Sequence, residues 1–103
     1  MIKVSVLYPS REGARFDVAY YLSRHIPMVR QLLGLALKGV SVEQGISGEE
    51  PQSPAPYVIT CHLLFDSVQA YQTSFGPRAQ EIIDDIPKYT DSEPLIQIGE
   101  VKV

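Results

Sequence analysis

The sequence contains no tryptophan, no asparagine and a single cysteine, Cys61. One cysteine excludes an internal disulfide framework. The missing asparagine removes every N-glycosylation acceptor. With only His25 and His62 beside that cysteine, a structural zinc site is not expected, because such a site takes four ligands. An excess of one charge is missing too: nine basic and twelve acidic residues give a net charge of −3. A nucleic-acid partner would call for a basic stripe, and there is none. No apolar run approaches the roughly 18–20 residues of a membrane span. The first residues alternate instead of forming the apolar core of a signal peptide. These absences predict a soluble cytoplasmic protein with neither a membrane nor a nucleic-acid partner. Phosphate loops and dinucleotide fingerprints are absent. Gly45-Ile46-Ser47-Gly48 lacks the spacing of a nucleophile elbow, so Ser47 is no nucleophile. No cofactor and no metal are expected.

What is present is a chain of 103 residues, 45% hydrophobic and 20% charged. That fits one domain over 1–103, without repeats or linkers. A chain of this size buries only about two-thirds of its unfolded surface, and dimerisation is a common supplement. Ile2 to Tyr8 alternates with a β-branched bias, the mark of a strand. Asp17 suits the N-cap of a helix from Val18, with Val18, Leu22, His25, Val29 and Leu32/Leu33 as its apolar stripe. Pro27 has no N–H for the carbonyl of Ser23, so the helix should kink or restart near His25-Ile26-Pro27. Gly34 is a natural stop. A second strand is expected over Lys38–Gln44, a mobile loop over Gly45–Pro56 and a central strand over Tyr57–Phe65. Asp66-Ser67 caps a short helix carrying Val68, Tyr71 and Phe75. Gly76 ends it, and Pro77 suits the first turn of the next, which carries Ile82, Ile83 and Ile86. Pro87–Pro94 reads as loop and Leu95–Val103 as a last strand. The order is βαββαβ: an α+β, ferredoxin-like fold with a four-stranded antiparallel sheet and helices on one face.

Side chains alternate across a sheet, so each strand has an apolar face for the helices and a mixed face. If registers align, the mixed face collects Lys3, Ser5, Thr60, His62, Leu64 and Gln97. Such a face suits a polar ligand pocket, a partner sheet, or both. Cys61 and His62 project to opposite sides; Cys61 reads as a small buried hydrophobe. Glu81, Asp84 and Asp85 read as a solvated helix face. Tyr20, Tyr21 and Tyr71 suit core or interface, with a pocket role open to one of them. His25 lies in an apolar stripe at a loosened point of the helix. It is either a core histidine or a general acid/base, for which its ordinary pKa near ~6.5 suits it.

The run Phe16-Asp17-Val18-Ala19-Tyr20-Tyr21-Leu22-Ser23-Arg24-His25-Ile26-Pro27 resembles the EthD family, named for ethyl tert-butyl ether degradation. Its hallmark is an aromatic pair followed by His-x-Pro in the first helix. His62-Leu63-Leu64-Phe65-Asp66-Ser67, Asp85-Ile86-Pro87-Lys88-Tyr89-Thr90 and Gln97-Ile98-Gly99-Glu100-Val101 extend the resemblance over nearly the whole chain. The resemblance implies a dimeric α/β barrel, in which two protomers pack their bare sheet faces and each encloses a pocket. Relatives include proteins of degradative gene clusters and decarboxylases or dehydratases of aromatic polyketides. His25 and Pro27 carry over as the His-x-Pro pair. Tyr21 stands where the family often has tryptophan, and His62 matches only a subgroup pattern. Fold alone does not transfer the ether-degrading role.

Two functions follow as expectations. In the first, a cofactor-independent enzyme holds a small hydrophobic, aromatic or keto compound, with His25 as acid/base and Pro27 structural. His62, Tyr21, Thr60, Tyr71 and Ser5 would line the substrate site. Decarboxylation, dehydration, cyclisation and oxygenation, hence lyase or oxidoreductase chemistry, all remain open. In the second, the protein is a non-catalytic carrier of a hydrophobic metabolite. Both place a homodimer around a small hydrophobic ligand.

Overall fold

Alternation in Ile2–Tyr8 and the apolar run Tyr57–Phe65 produce the two central strands of the sheet. The computed structural model describes Met1–Val103. Its strands are β1 (Ile2–Pro9), β2 (Gly39–Gln44), β3 (Tyr57–Phe65) and β4 (Leu95–Glu100). Between β1 and β2 run α1 (Val18–Tyr20), a π-helical turn (Tyr21–His25) and α2 (Ile26–Leu33). Between β3 and β4 run α3 (Val68–Phe75) and α4 (Ala79–Asp85). The sheet order is β2-β3-β1-β4 and every pairing is antiparallel. This is the ferredoxin-like arrangement.

Local chemistry sets the boundaries. The Asp17 side chain accepts from the N–H of Tyr20 and caps α1, and Ser67 accepts from Ala70 and caps α3. Gly34 ends α2 with φ +58°, a conformation side chains with a Cβ rarely adopt. Pro77 sits in a 3-10 turn, Gly76–Arg78, that joins α3 to α4. Gly76 itself is right-handed helical, so it passes the chain on instead of stopping it. A second 3-10 turn at Ile86–Lys88 and a bridge between Phe16 and Thr90 replace part of the loop expected over Pro87–Pro94. β4 ends at Glu100, opposite Ile2, because the ladder with β1 runs out there.

The inner face of the sheet meets the helices and forms the core: Val4 and Tyr8 of β1, Ile59, Cys61, Leu63 and Phe65 of β3. From the helices come Tyr21, Val29, Leu33 and Ile82, and Tyr89 follows the 3-10 turn after α4. The expected stripe through Leu22 is corrected. Leu22 is 50% exposed and Tyr21 is buried, because the widened turn shifts the inward face by one residue. Ile96 and Ile98, on the helix side of β4, stay about half exposed, as the helices do not reach this edge.

The outer face carries no helix. Across it Lys3 pairs with Leu64, Ser5 with both His62 and Gln97, and Ser41 with His62. The residues of the mixed face therefore do align. No helix is long and apolar enough to cross a membrane.

Candidate functional site

Pro27 shapes the first helix before any packing does. Lacking an N–H, it cannot bond the carbonyl of Ser23. The turn before it widens: the N–H of Ile26 bonds back to the carbonyl of Tyr21, five residues earlier. In this wider turn Tyr21 and His25 stack, with ring centroids 5.4 Å apart and planes 17° from parallel. Both face the sheet and both are buried.

The partner of His25 comes from α4. The imidazole Nδ1 lies 2.8 Å from Oδ2 of Asp85. A carboxylate only accepts, so Nδ1 carries the proton and Nε2 has the free lone pair. Tyr20 donates its hydroxyl to the other carboxylate oxygen at 2.8 Å, and Lys88 Nζ approaches that oxygen at 3.6 Å. Asp85 is only 7% exposed, which corrects the reading of Glu81, Asp84 and Asp85 as one solvated face. Glu81 and Asp84 are exposed, but Asp85 follows Ile82 by three residues and shares its inward face.

On the Nε2 side stands Tyr89, its ring centroid 4.7 Å from the imidazole and its hydroxyl oxygen 3.4 Å from Nε2. The hydroxyl of Tyr8 lies 2.6 Å from that of Tyr89. No buried side-chain nitrogen or oxygen lacks a partner. Burial lowers the pKa of His25 against the opposing pull of the Asp85 bond and charge. Burial pushes the carboxyl of Asp85 up, but the bonds from His25 and Tyr20 and the nearby charges hold it below its ordinary value. Burial also pushes Tyr8 up to about 12 and raises Tyr21, Tyr89 and Cys61. At neutral pH the cluster thus holds a neutral imidazole, an ionised carboxylate and un-ionised phenols.

Part of this cluster borders a cavity of about 210 Å³ between the helices and the inner sheet face. His25, Tyr8, Tyr21, Cys61 and Tyr71 line it, and isoleucine, valine, leucine and phenylalanine side chains supply the rest. A cavity of roughly 150 Å³ admits benzene, so this one has room for one ring with a short substituent.

The residues singled out from sequence divide into two groups. His25, Tyr21 and Tyr71 meet around the cavity. Ser5, Thr60 and His62 lie on the opposite face of the sheet, where Ser5 Oγ is 2.8 Å from His62 Nδ1 and Thr60 donates to Glu43 at 3.3 Å. A single pocket holding both groups, as expected from sequence, is therefore not formed within one chain. Pro27 is exposed, beside the π-helical turn. Asp85, Tyr89 and Tyr8 were missed, although the spacing Ile82, Asp85, Ile86, Tyr89 is itself an inward helical stripe. No three His, Cys, Asp or Glu side chains come together as a metal site requires.

The EthD domain model matches residues 14–93. Among solved structures the chain is similar to an EthD-like protein from Ralstonia eutropha JMP134, at 44% identity and a TM-score of 0.95. The match covers 99% of this chain and 92% of that one. It is also similar to an ethyl tert-butyl ether degradation family protein from Bacillus halodurans C-125, at 20% identity and a TM-score of 0.77, covering 99% of each chain. A dimeric protein of ferredoxin-like fold from Bacteroides fragilis NCTC 9343 matches at 13% identity and a TM-score of 0.57, over 97% of this chain and 95% of that one. Comparison with curated proteins gives no match.

Proposed function

This chain belongs to the EthD family, and from that premise and the His25 cavity we propose that it binds a small hydrophobic or single-ring aromatic compound and moves a proton on it. One observation carries the reading: a histidine on a cavity walled mostly by hydrophobic side chains, with Nδ1 held 2.8 Å from the buried carboxylate of Asp85. Asp85 fixes the tautomer and stabilises the imidazolium that forms when Nε2 takes a proton. The apolar walls exclude water and strengthen each polar contact. Proton transfer of this kind is common to decarboxylation, dehydration and cyclisation. Tyr21 packs on His25 and fixes its ring, and Tyr71 shapes the wall. Two protomers associate through the uncovered sheet face, which places Ser5, Thr60 and His62 at the interface. Any ligand contact they make belongs to that interface.

The test uses 2-indanone, a compact aromatic ketone with acidic α-hydrogens, in D2O with proton NMR. The protein should speed exchange of those hydrogens over buffer, by roughly 10²–10⁴-fold if general acid/base catalysis is fully expressed. His25→Gln should return the rate to that of buffer, and Asp85→Asn should lie between. Equal rates with native protein and His25→Gln would sink the proposal. Binding of 2-indanone without exchange would favour a carrier, the reading that the mostly apolar lining supports.

A further inference from the structure

His25 is not the last member of its hydrogen-bonded chain. Tyr89 stands 3.4 Å from Nε2 and Tyr8 stands 2.6 Å from Tyr89, while Tyr8 itself borders the cavity. Tyr89 does not border it. We propose that Tyr89 links His25 to Tyr8 as a proton relay, giving the cavity two connected proton-exchange points suited to relocating a proton within one carbonyl compound. This rests on the reading of His25 as an acid/base and deepens it.

Either phenol can donate to the other at 2.6 Å, and the relay uses the arrangement in which Tyr89 donates. The short contact is between the two phenols, and the long one is between Tyr89 and Nε2. A Tyr89 hydroxyl donating to Tyr8 leaves the Nε2 lone pair free and the Tyr8 hydrogen free for a ligand oxygen. Enolisation then balances without any further reactant. The α-carbon loses its proton to Nε2, and the carbonyl oxygen takes the proton of Tyr8. A C–H and an O–H bond break; an N–H and an O–H bond form. The Nε2–H then gives its proton to Tyr89 as Tyr89 passes its own to Tyr8, restoring all three groups. The same circuit serves loss of water from a β-hydroxy carbonyl compound, with Tyr8 protonating the departing hydroxyl. Burial raises the pKa of both phenols, so the phenolate left on Tyr8 is strongly basic and draws the proton back from Nε2 through Tyr89.

The groups facing His25 are few: Asp85 with Tyr20 and Lys88 behind it, Tyr21 stacked on the ring, and Tyr89 with Tyr8 on the Nε2 side. The relay can therefore be read without a ligand, by ¹⁵N NMR titration of His25 in the full chain. Imidazolium would donate from Nε2 to Tyr89, so Tyr89→Phe should lower the pKa of His25. Tyr8→Phe should also lower it, though Tyr8 does not touch the ring, because the freed Tyr89 hydroxyl turns to the Nε2 lone pair. In the Tyr89→Phe background, Tyr8→Phe should add nothing. These substitutions remove one hydroxyl and keep the ring, and the spectra report whether the fold is retained. Should the double variant fail to fold, Tyr8→Phe alone decides. A His25 titration that ignores Tyr8→Phe, or responds equally with and without the Tyr89 hydroxyl, overturns the relay. Exchange of 2-indanone separates the two readings. Coupling without exchange keeps the relay and removes the catalytic reading, and exchange without coupling does the reverse.

Discussion

At the residue scale, His25 is governed by two opposed influences, and their balance sets how stability varies with pH. Burial disfavours the imidazolium more than Asp85 favours it, so the folded pKa lies below the ordinary value of 6.5. Above 6.5 both folded and unfolded chains hold a neutral imidazole, and the group is silent. As pH falls below 6.5, the unfolded chain binds a proton that the folded chain refuses, and stability drops. Asp85 adds a second loss at lower pH. Its folded pKa lies below the ordinary 3.8, so its contribution is intact above 3.8 and vanishes as pH falls through the folded value. Thermal melting across this range should show a midpoint that begins to fall near pH 6.5. His25→Gln should remove the part of that fall contributed by this site, and an unchanged profile would show that His25 is not depressed. His25 stood out in the sequence as a histidine within an apolar stripe. Asp85 did not, because three acidic residues within five positions look like a solvated face until Ile82 is used to set the phase. Tyr8 read only as the end of a strand and Tyr89 as part of an expected loop, since a hydroxyl pair joined across 81 positions leaves no local trace.

At the scale of elements, periodicity located the strands and caps located the helices, because both signals are local. Tyr57–Phe65 appears as a strand over the whole expected span. Pro27 announced a disturbance in the first helix, but a missing N–H permits a kink, a restart or a widened turn. The widened turn is the one that stacks Tyr21 on His25 and buries both, a tertiary gain that no window of sequence reveals. The same helix ends at Gly34 with φ +58° and ψ −137°, outside even the left-handed helical region that asparagine tolerates. A Cβ at Gly34 would meet nothing within 4 Å, so any penalty is one of backbone conformation alone. Gly34→Ala should therefore cost about 1–3 kcal/mol, read as a lower urea midpoint with an unchanged slope. The His25 resonances should not move, since the cavity end of the helix is remote in sequence from its stop. A midpoint equal to that of the native chain would show that α2 can end another way.

At the scale of the whole molecule, the shortest dimension is 19 Å. That is the thickness of one sheet and one layer of helices, with nothing covering the second face of the sheet. Parity along each strand was legible in the sequence. The registers that bring Ser41, His62, Ser5 and Gln97 into one row across four strands were not, because register depends on turns and cross-strand packing. The outer row is internally bonded where Ser5 meets His62, so covering it does not strand those two polar atoms. Leu7 and Leu64 are half-buried beside it and supply apolar area for a partner. A second copy placed on this face by two-fold symmetry would meet the same surface, and a stable contact needs roughly 800 Å² from each protomer. Sedimentation velocity should therefore find the native chain as a dimer. Leu64→Glu should shift the dimer to monomer, since symmetry buries two carboxylates in one contact, each with only the Lys3 across the strand to offset its desolvation. Because the helix-side cavity lies beyond the sheet, His25 should keep its bond to Asp85 in that monomer. A native monomer would remove the sheet-face dimer outright. A Leu64→Glu dimer would move the contact elsewhere, with the exposed Ile96 and Ile98 along the free edge of β4 as the next surface to charge.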